Sequence, residues 1–127
     1  MKYKVTRSER GWAAHLCVSN YCRFHRNTLL GCGRVRVIVS TVGAYYPRRE
    51  DNLECLDTVG HNRHYETYTF KAKLEGLYWE IDGSEIDSKG MLGGKPDSDL
   101  KADEMHEKMV DKVTRILQET GTYKCSP

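Results

Sequence analysis

Apolar and polar positions alternate in short runs over the first two thirds of the chain, then change to a three- and four-residue repeat near the C-terminus. The first pattern belongs to half-buried strands and the second to an amphipathic helix. Residues 2–6 alternate and predict a first strand. Residues 11–18 predict a second, entered through the polar turn at 8–11 and left through Ser19 and Asn20. Residues 22–30 read as a third strand, interrupted by the Gly31, Cys32, Gly33 triplet. The clearest strand is 34–42, with Val35, Val37 and Val39 on one face and Arg34 and Arg36 on the other.

Gly43 ends that run, and residues 44–63 predict a long irregular connection containing Pro47. Connections of this length in a compact domain are usually functional or held by something. Residues 65–74 alternate again, with Tyr68, Phe70, Ala72 and Leu74 opposite Thr67, Thr69, Lys71 and Lys73. Glu75 and Gly76 then turn the chain into 77–81, which predicts a hairpin. Residues 82–96 hold four glycines and one proline and predict a mobile loop. A helix over about 97–120 follows, with Asp97, Asp99 and Asp103 near its start and Gly121 as its stop. Its apolar stripe is Met105, Met109, Val113, Ile116 and Leu117; Glu104, Lys108, Asp111 and Arg115 form the solvated side. The expected fold is α+β, an antiparallel sheet of about five or six strands with one C-terminal helix. It is a single domain over residues 1–127, β-rich over 1–81.

Composition adds two facts to that picture. The chain is 127 residues long with 39% hydrophobic and 30% charged residues, which suits one domain with a modest core. No run approaches the roughly 18 apolar residues of a membrane span, and the N-terminus has no apolar stretch. A cytoplasmic protein without membrane contact is expected. The net charge of +2 hides an asymmetry. Residues 1–50 carry ten Lys/Arg against two acids, and residues 51–127 carry ten against sixteen. The two halves either neutralise each other within the fold or present an Arg-rich surface to nucleic acid or to an acidic partner.

The candidate chemistry lies between positions 15 and 64, which hold Cys17, Cys22, Cys32 and Cys55 with His15, His25, His61 and His64. Five cysteines in the chain exclude a fully paired intrachain disulfide framework. Structural zinc takes four thiolate or imidazole ligands, usually delivered as close pairs from turns. Cys17, Cys22, Cys55 and His61 form the preferred set, with His64 as the substitute for His61. A strand over 23–30 would carry Cys32 to the far end of the sheet, while the strand after it returns the 44–63 connection to the Cys17/Cys22 end. The local set Cys17, Cys22, His25 and Cys32 is the alternative. Cys22 with His25, or Cys55 with His61, could also be drawn as thiolate and base, but neither lies in a nucleophile-elbow or phosphate-loop context. No catalytic residues are assigned, and a non-enzymatic protein is expected.

Three phrases, residues 26–30, residues 39–44, and residues 64–67 together with Tyr78 and Trp79, resemble small accessory proteins of bacteriophages. The broader likeness is to anti-CRISPR proteins, in particular a zinc-binding inhibitor of a Cas9-type (type II) nuclease. That resemblance implies a phage protein in the host cytoplasm, a host nuclease as partner by protein–protein contact, and block of DNA binding. The acid-rich stretch 82–111, with Glu104, Glu107 and Asp111, is then the expected contact for a basic channel. A small nucleic-acid-binding regulator using the Arg-rich half is the second expectation.

Overall fold

Gly33 has φ 58, a left-handed conformation that costs glycine little, and it lets the chain reverse between Cys32 and Val35. The strand before this turn therefore runs on through Gly31 to Cys32, past the expected stop at Leu30. The computed structural model describes residues 2–10, 22–45, 65–75, 78–92 and 99–123. Among them the elements are β1 (Thr6–Glu9), β2 (Cys22–Cys32), β3 (Val35–Tyr45), β4 (Tyr65–Glu75), β5 (Tyr78–Leu92) and α1 (Asp99–Thr120). The strands form one antiparallel sheet in the order β1-β2-β3-β4-β5, and the helix follows it in sequence. The fold is α+β, an antiparallel sheet with one C-terminal helix.

The register sets which residues share a face. Thr28, Val39 and Thr69 lie side by side across three strands, as do Arg26, Thr41 and Thr67. This face receives α1. Met109, Val110, Val113 and Leu117 of the helix pack with Leu30, Cys32, Val37, Val39 and Tyr123, all buried, and partly buried Val35 joins them. Nearer the helix start, Ala102 and Met105 pack with Tyr65 and Phe24 in a second, smaller cluster. The Phe24 and Tyr65 rings meet edge to face with centroids 6.0 Å apart. The other face of the sheet is also buried, at Asn27, Ile38, Ser40, Val42, Glu66 and Phe70. Double burial accounts for the nearly continuous apolar run of β3.

The ends of the fold depart from expectation. The first strand is Thr6–Glu9 rather than 2–6, because the Tyr3 backbone N–H is taken by the Gln118 carbonyl at 2.7 Å. Residues 2–5 accordingly lie alongside the end of the helix, and pairing with β2 begins only at Thr6 opposite Gly31. The expected strand at 11–18 lies outside the described residues. The hairpin of β4 and β5 is as expected, with Glu75 opposite Tyr78. Residues 82–92, expected in a mobile loop, instead continue β5 to Leu92. The register explains why the pattern was obscured. Phe70 and Ala72 face Ile86 and Ile81, and Thr67 and Thr69 face Leu92 and Asp87, so β5 carries extra residues at two bulges. Gly83 and Gly90 fall in those two bulged stretches. At the far end, Gly121 (φ 71) donates its N–H to Leu117 O at 2.8 Å and stops the helix as expected.

Candidate functional site

The most distinctive chemistry is a polar seam between α1 and the sheet, lying between the two apolar clusters. Its centre is His106, which is fully buried. The ring lies four residues after Ala102 and three before Met109, on the inward side of the helix. Its Nε2 is 2.7 Å from Thr28 Oγ1 and its Nδ1 is 2.8 Å from Thr41 Oγ1. Thr41 Oγ1 is in turn 2.6 Å from Thr67 Oγ1, and Thr28 Oγ1 donates to Glu9 Oε2 at 2.6 Å.

Counting hydrogens fixes the direction of this chain. A hydroxyl has one hydrogen, and an ionised carboxylate can only accept. Thr28 gives its hydrogen to Glu9, so His106 Nε2–H must donate to Thr28. The neutral ring then has a bare Nδ1, which accepts from Thr41, and Thr41 accepts from Thr67. The bonds run one way, from β4 through β3, α1 and β2 to a carboxylate on β1. Burial, with Arg26 adding to it, pushes the His106 pKa down to about 4, in keeping with the neutral ring. Burial acts to raise the Glu9 pKa, but the Thr28 hydroxyl with Arg7 and Arg26 outweighs it, and the net shift is downward.

An ion-pair network caps the seam. Arg26 Nη1 meets both Asp103 Oδ1 and Glu107 Oε1 at 2.9 Å, and its Nη2 meets Glu9 Oε1 at 2.8 Å. Arg7 grips both oxygens of Glu107, at 2.7 and 2.9 Å, and reaches Glu9 at 2.7 Å. The Glu107 carboxyl is held down at about 2, first by the Arg7 hydrogen bonds and then, against some burial, by Arg26. Two arginines from the basic half are thus neutralised by the acidic half, one of the two outcomes that the charge asymmetry allowed. This corrects the expected contact surface. Glu107 bonds to arginines of the sheet, and the exposed charged positions of the helix are Lys101, Glu104, Lys108, Asp111, Lys112, Arg115 and Glu119, a mixed rather than acidic set.

Of the four expected zinc ligands, Cys17, Cys55 and His61 lie outside the described residues, as does His64. Cys22 is buried at the start of β2, opposite Tyr45 at the end of β3. Tyr65 pairs with Gly43, so the connection over 46–64 leaves and re-enters the sheet at the Cys22 end. Cys32 occupies the other end of the same strand, about 33 Å away at 3.3 Å per residue, with its Sγ 3.7 Å from Leu117 O. One ion cannot bind both, so the local set Cys17, Cys22, His25 and Cys32 is excluded. Among the described residues no group of three or more His, Cys, Asp or Glu is placed to hold a metal ion.

Cys22 and His25 meet through the backbone of β2. His25 Nε2 lies 2.9 Å from the Cys22 carbonyl oxygen, to which it donates. Burial, followed by the charge of Glu66, pushes the Cys22 thiol up to about 11, away from the thiolate that attack requires. Sequence reasoning missed the His106 seam. The available signal was the spacing of 102, 106, 109, 113 and 117, which places His106 within the buried stripe.

No protein-family model, no curated protein and no solved structure matches this chain. None of the helices of the described residues is long and apolar enough to cross a membrane.

Proposed function

We propose that this protein is a non-catalytic binding module that occupies a basic, nucleic-acid-binding surface of another protein, a Cas9-type nuclease being the candidate the sequence resemblance suggests. The observation that carries this reading is the acid-rich sequence of β5, beside the internal pairing of two arginines of the basic half. Arg7 and Arg26 are satisfied by Glu9, Asp103 and Glu107. Arg10 donates to Asn27 Oδ1, and Arg36 to the Gly33 and Val35 carbonyls. Four of the ten basic residues of the first half are in this way engaged within the fold, which favours a contact through the acidic half over the nucleic-acid-binding alternative.

The strand β5 at the opposite margin of the sheet carries Glu80, Asp82, Glu85 and Asp87 against Lys89. Asp82, Glu85 and Asp87 fall within six residues of this strand, which ends the sheet among the described residues. Bulges and charges on an edge strand discourage strand pairing with another chain. An electrostatic contact with a basic surface suits such an edge better than extension of the sheet.

Zinc belongs to this proposal as a structural ion. Cys22 lies at the end of the sheet where β3 ends and β4 begins, and Cys17, Cys55 and His61 are proposed as its partners on the sequence pattern. Four protein ligands would leave no open position for a water. The test is a titration of the protein into guide-loaded nuclease, following target-DNA binding and cleavage, beside a mobility-shift assay with free DNA and RNA. Loss of both nuclease activities at one equivalent supports the proposal. Unchanged nuclease together with tight, salt-sensitive binding of free nucleic acid selects the alternative.

A further inference from the structure

The seam does more than join helix to sheet, because its hydrogen-bond chain has room for only one protonation state of His106. We propose that His106 is an acid-operated latch on the N-terminal part of α1: protonating the ring releases residues 99–107 from the sheet while the rest of the helix stays docked.

A second proton on the ring must sit on Nδ1, which already receives the Thr41 hydrogen at 2.8 Å. Thr41 would have to turn its hydrogen towards Thr67, and Thr67, itself fully buried, would have to find a different acceptor. The new charge would also lie in a site removed from water, where it is costly unless paired. The charged groups facing the ring do not supply that pair. Arg26 on β2 and Arg7 on β1 are cations, and Glu9 on β1 with Asp103 and Glu107 on α1 are already bonded to them. On the β3 and β4 side, among the described residues, the ring bonds to the uncharged hydroxyl of Thr41, which is itself bonded to Thr67. The depressed pKa of the ring expresses the same conflict.

The position of His106 between the two apolar clusters decides what gives way. On its C-terminal side, Met109, Val110, Val113 and Leu117 are locked into the main core. On its N-terminal side the buried apolar contact among the described residues is smaller, Ala102 and Met105 against Tyr65 and Phe24, with a hydrogen bond from Tyr65 to Asp99. The ion pairs of Asp103 and Glu107 on that side are partly exposed, and water can solvate their groups on opening. Local openings follow such differences in buried apolar contact.

Folded and released states differ in proton affinity, with a ring pKa of about 4 in the first and an ordinary 6.5 in the second. The folded ring excludes the proton, so docking is at full strength above pH 6.5 and weakens as pH falls towards 4. Over that interval the opening constant should rise about a hundredfold. The window starts above the ordinary carboxylate value of 4.5, from which Glu9 and Glu107 are both lowered.

The experiment is amide hydrogen exchange of the full chain between pH 7 and 4, corrected for intrinsic exchange chemistry. It is run on the wild type and on His106→Gln, whose amide offers one donor and one acceptor but no titrating proton. Protection over 103–107 should fall about a hundredfold in the wild type, with 110–117 unchanged, and should stay level in the variant. If the variant does not fold, the ring-proton NMR titration of wild-type His106 takes its place. A titration with a midpoint well below 6.5 that tracks the opening supports the latch. Equal loss of protection in both segments, the same loss in His106→Gln, or a ring that titrates near 6.5 without opening would overturn it.

Discussion

Replacing Thr28 by Val keeps the side-chain shape and removes one hydroxyl, the only link between Glu9 and His106. The hydroxyl lies 2.6 Å from Glu9 Oε2 and 2.7 Å from His106 Nε2 and is fully buried. Glu9 is half-exposed, so water can replace the bond that it loses. His106 Nε2–H faces a methyl group instead, and an unsatisfied buried donor costs about 1–3 kcal/mol. The ring can escape by moving its hydrogen to Nδ1 and donating to Thr41. Thr41 must then donate to Thr67, whose own hydrogen loses its acceptor, so the orphan moves without disappearing. Thr28→Val should therefore destabilise the protein by about 2 kcal/mol. Urea unfolding at pH 7.5, where the ring is neutral, measures this, with Ser8→Val on the exposed strand β1 as a control expected to change stability by less than about 0.5 kcal/mol. The two effects should also be coupled. In a His106→Leu background, Thr28→Val should cost much less, because the donor that it strands has gone. A loss below about 0.5 kcal/mol in the wild type, or an equal loss in both backgrounds, would refute the one-way chain.

The ion-pair cap makes a sharper distinction than charge alone. Glu107→Lys should destabilise the fold, since it sets a cation against Arg7 and Arg26, whereas Glu104→Lys and Asp111→Lys at exposed positions should be nearly neutral in thermal melts. The Glu107 pKa is depressed to about 2, so the stability it contributes is complete above its unfolded pKa of 4.5 and fades as pH falls from there towards 2. That acid limb should be missing in Glu107→Gln. Gly121→Ala should cost about 1–2 kcal/mol, because φ there is 71 and the added Cβ would meet the Tyr3 ring at 3.0 Å. Elemental analysis should find one zinc per chain, retained in Cys32→Ser and lost in Cys22→Ser.

What could be read from the sequence followed from strong local periodicity. The strands β2, β3 and β4 and the helix stand where alternation and the three-to-four repeat put them, and Gly121 ends the helix. The topological step that separated Cys32 from Cys22 was also accessible, because it needed only strand length. The seam was not, because its members are unremarkable one at a time. Thr28, Thr41 and Thr67 look like ordinary β-forming residues, and His106 reads as a polar interruption. Arg26 and Glu107, which bond at 2.9 Å, are 81 positions apart. Pairings of that kind exist only once the sheet register has brought the strands under the helix. The continuation of β5 was hidden for a related reason, since two bulges shift its period and local glycine content mimics a loop.

The central claim is that the acidic edge strand binds a basic surface, and a titration that separates edge from helix tests it most directly. Increasing amounts of wild-type protein, of Asp82→Lys/Glu85→Lys/Asp87→Lys, and of Glu104→Lys/Asp111→Lys are added to guide-loaded Cas9-type nuclease, and target-DNA binding is read at each step. The account predicts full inhibition near one equivalent for the wild type and the helix variant, and at least a hundredfold weaker inhibition for the correctly folded β5 variant. Equal inhibition by all three proteins, or none by any of them, would contradict it.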